Sequence, residues 1–345
     1  MSATDRKSAH KLRALLISAL AVLLALAAAA CGDDEGSSSG GGDGGKVNVV
    51  AYSTPETVYQ EVLEPAFQKT GPGKGVDFSS SFGGSGDQSR AVEAGQPASV
   101  VHLSLEPDMT RLVDAGIVSP DWNKQKFNGI AQKSVVVIVT RKGNPEGIKS
   151  FDDLLTKDVE IVTPNPFASG GARWNLLAVY GAALQQGKSK QEALKAIETV
   201  LSKTVTQPGS ASDSLTAYTQ GQGDVLLAYE NEAIRAQNEG EDVDYVIPDD
   251  TILIETPIAL TEDAPDSAGA FLDFLWSDKG QQLWADNGYR PANPKLVDPK
   301  QYPNPSGLFT IADLGGWEKV NDELFDETDG EVARIEQGLG VSTAG

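Results

Sequence analysis

Residues 159–187, VEIVTPNPFASGGARWNLLAVYGAALQQG, decide the fold of this chain. The first six residues are an apolar, β-branched run typical of a buried strand, and residues 172–187 have the apolar spacing of a helix. Between them lies a turn of small residues. The stretch therefore predicts a strand that leads directly into a helix, which is the building unit of α/β proteins.

The same alternation of strand and helix continues through the chain from about Lys46. We predict strands at 47–52, 76–82, 99–105, 134–140, 159–164, 203–207, 224–229, 244–248 and 252–260. We predict helices at 55–69, 87–95, 107–115, 172–187, 190–202, 211–221, 230–239 and 265–287. A chain of 345 residues with this pattern predicts an α/β protein of two doubly wound domains with open, mainly parallel sheets.

The two longest extended segments set the expected domain boundaries. Because no linker rich in Gly or Pro separates the halves, we expect the chain to cross between domains on segments 134–140 and 252–260. Domain I is then 46–133 plus 258–320, and domain II is 134–257. Residues 321–345 are expected to form a C-terminal tail.

The composition excludes several classes of partner. The chain has 28 Lys+Arg against 49 Asp+Glu, a formal net charge of −21. Such an excess of carboxylates repels phosphate backbones and anionic lipids, so neither nucleic acid nor a membrane surface is expected as the main partner. Taken alone, the excess also disfavours an anionic small molecule. One cysteine and two histidines leave almost nothing for a disulfide framework or a zinc site, so no metal or cofactor is expected.

The N-terminus has the pattern of an export signal. Four basic residues among the first 13 precede an apolar run over residues 14–30, as in a secretory signal peptide. Cys31 follows directly, which resembles a bacterial lipoprotein processing site, although Ala28 stands where such sites usually have Leu. Residues 31–45 would then be a lipidated cysteine and a flexible tether. We expect an extracytoplasmic lipoprotein on the outer face of the cell membrane; plain secretion and a retained N-terminal anchor are the alternatives.

Three short motifs at strand-to-helix junctions indicate the function. They are SFGGSGDQSR (81–90), NPFASGGARW (165–174) and QPGSASDS (207–214). Each places Gly or Ser at a helix start, where the first backbone N–H groups have no partner inside the helix and the helix dipole is positive. Serine hydroxyls add donors without adding charge. Since ligands of open α/β folds bind at the carboxyl ends of strands, the three motifs together predict a site for a small oxyanion.

Two other classes of protein fit the motifs less well. A hydrolase would use Ser85 or Ser169 as its nucleophile, but the histidine His102 lies in an apolar strand and is expected to be a core residue. The acidic stretches 230–243 and 322–331 are expected to be solvated, so no general base stands out and no enzyme is expected. A receptor for an amino acid or a sugar acid would need an aromatic pocket and a charged clamp, which the motifs do not supply.

At these motifs the sequence resembles the sulfate-binding proteins of bacterial ABC transporters. The matching segments are GGSGDQSR (83–90), RKGNPEGIKSFDDL (141–154), TPNPFASGGARWNLLAVYGAAL (163–184), GDVLLAYENEA (223–233), GYRPAN (288–293) and LFTIADLGGW (308–317). The resemblance covers most of residues 47–320. It implies a type II periplasmic-binding fold, whose two domains close on the ligand by a hinge motion. It also implies sulfate as ligand and the permease subunits of an ABC importer as partners; we expect a monomer.

The resemblance also assigns the ligand donors. Ser85 would supply its hydroxyl and its N–H, Ser169 its hydroxyl, and Gly170 and Gly171 their N–H groups. Ser210 stands where the family has alanine, so it would supply only its N–H.

Two positions depart from the family pattern. Tyr229 replaces a tryptophan whose indole N–H is a donor, and Ser53 replaces an acid near the cleft. A hydroxyl that can also accept would tolerate a protonated anion better, so thiosulfate or another tetrahedral oxyanion stays open beside sulfate. Alternatively, Tyr229 replaces the tryptophan only as an aromatic wall with a polar tip. Arg90 and Arg173 lie one turn into their helices and are expected to pair with carboxylates.

Overall fold

The computed structural model describes residues 45–343, and the nine predicted strands are all present there. The strands are β1 Lys46–Tyr52, β2 Asp77–Gly83, β3 Val100–His102, β4 Ile130–Arg141, β5 Ile161–Val162, β6 Thr204–Thr206, β7 Val225–Tyr229, β8 Val243–Val246, β9 Asp250–Leu260, β10 Arg290–Pro291 and β11 Gly307–Phe309. The short strands β10 and β11 were not predicted. The predicted signal peptide (1–30), Cys31 and the tether up to residue 44 lie outside the described residues.

The helices follow the predicted order. They are α1 Glu56–Val58, the π-helical turn Tyr59–Leu63, α2 Glu64–Gln68, α3 Ser85–Glu93, α4 Glu106–Asp114, α5 Phe151–Thr156, α6 Gly170–Gln185, α7 Lys190–Ser202, α8 Ala211–Thr219, α9 Glu230–Asn238, α10 Asp266–Leu275, α11 Asp278–Asp286, α12 Trp317–Val320, the π-helical turn Asn321–Phe325 and α13 Glu331–Gly338. Short 3₁₀ turns are Trp122–Lys124, Lys126–Gly129, Pro294–Leu296 and Ile311–Leu314. No helix in the described part of the chain is long and apolar enough to cross a bilayer.

The single helix predicted at 265–287 is wrong, because the chain breaks at Ser277 into α10 and α11. The Ser277 hydroxyl donates to the carbonyl of Phe274 at 2.6 Å, which ends the first helix. The same oxygen accepts the N–H of Gly280 at 3.1 Å and so caps the second helix.

The strands form one sheet in the order β2-β1-β3-β9-β4-β7-β5-β6. The outer pairs are parallel, as predicted, whereas β9 is antiparallel to β3 and to β4, and β4 is antiparallel to β7. The prediction of mainly parallel sheets therefore fails at the centre. It fails because two long strands connect the halves and run in opposite directions.

Strands β4 and β9 pass from one half of the sheet to the other. Residues 130–135 of β4 pair with 253–257 of β9. Beyond this region β4 pairs with β7, whereas residues 258–260 of β9 pair with β3. These are the segments on which crossings were predicted, and the arrangement is that of a type II periplasmic-binding fold. We propose that the halves are two domains, 46–133 plus 258–306 and 134–257 plus 307–320. The predicted assignment of 307–320 to the first domain is wrong, because β11 pairs with residues 250–252 of β9, and Phe309 and Trp317 belong to the core of the second half.

Each half has its own apolar cores. The first half packs α1, α2, α10 and α11 on its strands around buried side chains such as Phe67, Phe271 and Trp284. In the second half, α6 is buried around most of its circumference, and its Trp174 shares one core with Phe309 of β11. Four tryptophan side chains are buried in the cores of the two halves, and they are Trp174, Trp276, Trp284 and Trp317.

The C-terminal segment 321–343, expected to be part of a tail, packs on the core of the second half. Leu324, Phe325 and Val332 are buried there. The guanidinium of Arg173 lies 5.1 Å from the centre of the Phe325 ring and donates to the Asn321 side chain at 2.8 Å. The segment thus belongs to the folded body and supports the start of α6.

Candidate functional site

The three motifs meet at one place, although they are far apart in the sequence. The N–H of Gly86 in the first motif donates to the carbonyl of Ala168 in the second at 3.1 Å. A Cβ atom on Gly84 would lie 2.6 Å from that carbonyl oxygen and 2.7 Å from the carbonyl oxygen of Gly209 in the third motif. The three backbones approach each other more closely than any side chain at position 84 would allow.

Helices α3, α6 and α8 all begin at this meeting point. The Ser210 hydroxyl accepts the N–H of Asp213 at 3.1 Å and donates to its carboxylate at 2.7 Å, so it is occupied as a helix cap. Ser169 makes no such side-chain bond to its own helix, and its hydroxyl is therefore not consumed there. The first N–H groups of α6 belong to Gly170 and Gly171 and have no partner inside the helix.

Close packing leaves no room for a side chain at Gly170 and little room at Gly171. A Cβ on Gly170 would lie 2.7 Å from the Ser104 hydroxyl oxygen, and one on Gly171 would lie 3.3 Å from the Ala211 methyl and 3.6 Å from the Tyr229 ring. The start of α6 is therefore enclosed by the loop after β3, by α8 and by the residue that precedes α9.

A pair of hydroxyls, Ser104 and Tyr229, lies beside the first glycines of α6. Their oxygens are 2.6 Å apart, and the Trp174 indole N–H fixes the loop by donating to the Ser104 carbonyl at 2.9 Å. Burial raises the pKa of Tyr229 well above its usual value, so both groups keep their hydrogens. One hydrogen occupies the bond between them, and the other is left for a ligand. Ser104 was not predicted as a site residue. Its position just after the carboxyl end of β3 could have indicated it, since ligands of open α/β folds bind at the carboxyl ends of strands.

The Ser85 hydroxyl is held by a buried acid that the sequence did not single out. It donates to the Asp108 carboxylate at 2.6 Å and accepts the N–H of Ser104 at 2.9 Å. Asp108 is 4% exposed, and burial raises the pKa of its carboxyl. Ser53, also buried, accepts the N–H of Ser212 at 3.3 Å and so lies at the start of α8.

Both arginines of the motifs support the loop before α6. Arg90 forms an ion pair with Asp87 at 2.6 Å and donates to the carbonyl of Phe167 at 3.3 Å. Arg173 donates to the carbonyl of Pro166 at 2.8 Å. The expected pairing with a carboxylate is confirmed for Arg90. It is wrong for Arg173, whose partners are this carbonyl, an amide and an aromatic ring.

The acidic stretch 230–243 is not solvated throughout, which corrects the prediction. Glu230 is buried and paired with Arg290 at 2.6 Å. Glu232 is also buried and accepts the N–H of Tyr229 at 3.2 Å, and burial raises the pKa of its carboxyl to about 7. The two acids fix the start of α9 and with it the position of the Tyr229 ring.

His102 is a core residue, as predicted. Its Nδ1 lies 2.9 Å from the Tyr59 hydroxyl and its Nε2 lies 3.0 Å from the Thr256 hydroxyl. Burial lowers the pKa of the imidazole to about 3. Within residues 45–343, no group of three or more His, Cys, Asp or Glu side chains is placed to hold a metal ion.

A family of known proteins matches most of this chain. The model of the bacterial extracellular solute-binding protein family matches residues 47–290. A sulfate-binding protein of Synechococcus elongatus is 42% identical over 295 residues, which cover 82% of this chain and 84% of that protein. A thiosulfate-binding protein of Pseudomonas aeruginosa is 32% identical over 294 residues, which cover 80% of this chain and 88% of that protein.

A solved structure agrees with these sequence relatives. The sulfate-binding protein SubI from Mycobacterium tuberculosis H37Rv superimposes with a TM-score of 0.78 at 42% identity. The superposition covers 81% of this chain and 99% of that one. The three motifs and the crossing strands all lie in the stretch that the family model matches.

Proposed function

The chain belongs to the bacterial extracellular solute-binding protein family, and from this premise we propose that it captures sulfate between its two halves and delivers it to an ABC importer. The observation that carries the proposal is the meeting of three helix starts in one enclosed place. The names of the relatives point to the same ligand.

The donors available at this place are uncharged. They are the N–H groups of Ser85, Gly170, Gly171 and Ser210, the Ser169 hydroxyl and the hydrogen left over by the pair Ser104 and Tyr229. The N–H groups of Gly86, Ser212 and Asp213 are already donated to Ala168, Ser53 and Ser210. Arg90 and Arg173 use their own donors on the loop before α6. The dianion would therefore be held by dipoles and hydrogen bonds, without neutralisation by a contacting cation.

Such a site is strong enough for a transport protein. Each hydrogen bond to a charged group is worth roughly 1.5–3 kcal/mol net. Several together offset the loss of hydration and support a micromolar dissociation constant, which corresponds to about −8 kcal/mol. Sulfate has no proton at neutral pH, whereas phosphate has one that would face another donor. A site made of donors thus favours sulfate over phosphate.

Thiosulfate is the second candidate ligand. A thiosulfate-binding protein is among the relatives, and the Tyr229 hydroxyl can accept as well as donate, unlike the indole of the family pattern. Titration calorimetry with sulfate, thiosulfate, phosphate and molybdate at pH 7 tests the assignment. We expect sulfate to bind and phosphate not to bind. Binding of phosphate or molybdate without binding of sulfate would refute the proposal.

We assign no catalytic role to Ser85 or Ser169, because His102 contacts neither of them; the Ser85 hydroxyl is held by the Asp108 carboxylate instead. Both ring nitrogens of His102 are engaged by Tyr59 and Thr256. Generic ester substrates measured with and without sulfate test this: turnover that sulfate does not inhibit would contradict a pure binding function.

We also propose that a lipid on Cys31 anchors the protein outside the cell membrane and that it acts as a monomer. Mass spectrometry of the membrane fraction should detect a lipidated N-terminal cysteine, and Cys31→Ala should release the protein. Release of the wild-type protein without lipid would refute the anchor. Light scattering tests the monomer, and sulfate uptake by cells that lack the chain tests delivery to the importer.

A further inference from the structure

The C-terminal helix α13 and the residues after it contact two of the three motif loops. The Gln207 side-chain amide donates to the Glu336 carboxyl at 3.3 Å, and the Asn165 side-chain amide donates to the Ser342 carbonyl at 3.4 Å. Gln207 begins the third motif and Asn165 begins the second. Next to these contacts the N–H of Asn165 donates to the carbonyl of Pro208 at 2.8 Å and so joins the two loops. The C-terminal segment therefore supports both loops where they meet.

The pair Glu336 and Gln207 lacks one hydrogen if Glu336 is charged. The Glu336 side chain is fully buried, and its Oε2 accepts the hydrogen bond from the Gln207 Nε2. The other oxygen of each group, Glu336 Oε1 and Gln207 Oε1, is buried and has no hydrogen-bond partner among residues 45–343. Both are acceptors, and a buried acceptor without a donor is costly. One hydrogen shared between these two oxygens would satisfy both.

We propose that Glu336 is a positioning residue that is held as the neutral acid, exchanges two hydrogen bonds with the Gln207 amide, and through this pair fixes the third motif for the ligand. The neutral acid donates its O–H to the amide oxygen and accepts the amide N–H on its other oxygen. The inference rests on the proposed function but concerns a contact outside the ligand site. Because Glu336 is neutral with and without the ligand, sulfate binding itself takes up no proton.

The backbone after Gln207 connects this pair to the site in three residues. Pro208, with its fixed φ, accepts the Asn165 N–H. The carbonyl of Gly209 lies where Gly84 of the first motif approaches, and Ser210 supplies one of the N–H groups proposed for the anion. A shift of the Gln207 side chain would therefore move the start of α8.

The surroundings of Glu336 favour its neutral form. Burial raises the pKa of its carboxyl, and the two supported loops, 163–169 and 206–210, contain no charged residue. The turn 321–325, which packs on α13, has Glu323 paired with Lys190 at 2.8 Å and Asp322 in a surface groove. The charged groups of α13 and of α7, which also packs on it, line other surface grooves, and they are Glu331, Arg334, Glu192, Lys195 and Glu198.

The pH dependence of folding tests the protonation state. Because the pKa of Glu336 is raised above its unfolded value near 4.5, its contribution to stability is complete below pH 4.5 and is lost as the pH rises through the folded value. In Glu336→Gln the new amide keeps both hydrogen bonds without a proton. Urea unfolding between pH 4.5 and pH 8 should therefore show the variant gaining on the wild type as the pH rises. Between the two pKa values the ratio of their unfolding constants changes by up to about tenfold per pH unit.

Sulfate calorimetry at pH 5.5 tests the positioning role. Glu336→Leu has a similar size but no polar atoms, so Gln207 loses its partner. We expect a sulfate dissociation constant about three- to tenfold higher, which corresponds to about 0.7–1.4 kcal/mol. Glu336→Gln should bind like the wild type, since it restores both hydrogen bonds. Gln207→Leu removes the same pair from the half-buried loop side and replaces Glu336→Leu in the test if that variant does not fold.

Glu331→Gln is the matched control, because it removes the same charge from a more exposed position of the same helix. It should match the wild type in sulfate affinity and in the pH dependence of unfolding. The inference alone is overturned if Glu336→Gln and the wild type share one pH dependence, or if the leucine variants bind sulfate as tightly as the wild type. An equal loss of affinity in Glu336→Gln and Glu336→Leu also overturns it. Absence of sulfate binding by the wild type overturns the proposed function instead.

Discussion

Gly84→Ala should block ligand binding while leaving the fold intact. Gly84 has φ −59° and ψ 134°, a conformation that alanine adopts without strain. A Cβ atom there would lie 2.6 Å from the Ala168 carbonyl oxygen and 2.7 Å from that of Gly209, whereas such contacts are essentially never shorter than 3.0 Å. The three loops would have to separate, and neither obstacle is a flexible side chain.

The size of the effect follows from these contacts. Overpacking of a closed contact costs about 1–3 kcal/mol. Separation of the loops would also weaken the bond from the Gly86 N–H to Ala168, worth roughly 0.5–1.5 kcal/mol. The sum of about 1.5–4.5 kcal/mol corresponds to a sulfate dissociation constant about 12- to 1,600-fold higher. If the halves open without ligand, the free protein escapes the clash and its melting temperature should change little.

Calorimetry and thermal melting with and without sulfate measure both parts of this prediction. Gly209→Ala is the matched control, because a Cβ there meets nothing within 4 Å although the residue lies in the same contact. We expect this control to bind sulfate like the wild type. Binding by Gly84→Ala within threefold of the wild type would refute the assignment of the site to the meeting point of the three motifs.

Three further predictions concern individual side chains of the site and its support. Tyr229→Phe should weaken sulfate binding by about 1–3 kcal/mol in calorimetry, since the Ser104 hydroxyl loses its partner; unchanged affinity would mean that the ring acts only as a wall. Arg290→Met should lower the free energy of unfolding in urea by about 3–5 kcal/mol, because Glu230 stays buried without its partner; a loss below 1 kcal/mol would contradict this. The carboxyl of Glu232 has a pKa of about 7 in the folded protein and near 4.5 in the unfolded chain. The folded state therefore loses stability as the pH rises from 4.5 to about 7. Urea unfolding at pH 4.5 and at pH 7.5 measures this loss, which should be about 3 kcal/mol of unfolding free energy in the wild type and absent in Glu232→Gln. An equal loss in both proteins would refute the prediction.

Local patterns account for what could be predicted. Nine strands and the starts of α3, α6 and α8 follow from periodicity and from small residues at junctions, because both are properties of neighbouring residues. Strands β10 and β11 have two and three residues, too few for a period to show. Helix α5 was not predicted either, although the sequence has a signal for its start, because Ser150 and Asp153 form a capping box there.

The residues that complete the site could not be predicted for a different reason. Asp108 lies in the first turn of α4, where an acid ordinarily interacts with the helix dipole. Only the packing of α4 on α3 places its carboxylate under the Ser85 hydroxyl, 23 positions earlier in the chain. Ser104 and Tyr229 are 125 positions apart and meet only because the two halves come together. Pairs of this kind are set by tertiary structure, and no spacing in the sequence encodes them.

The net charge of −21 describes the exterior of this protein and not its site. At 0.15 M salt the Debye length is about 8 Å, so exposed carboxylates barely act on an anion inside a closed cleft. The carboxylates at the three motifs are engaged by protein groups: Asp87 pairs with Arg90, Asp108 accepts the Ser85 hydroxyl and Asp213 accepts the Ser210 hydroxyl. The N–H groups and the dipoles at the helix starts act on an anion at contact distance. A strongly acidic protein can therefore bind a small anion where local dipoles, and not distant charges, face the ligand.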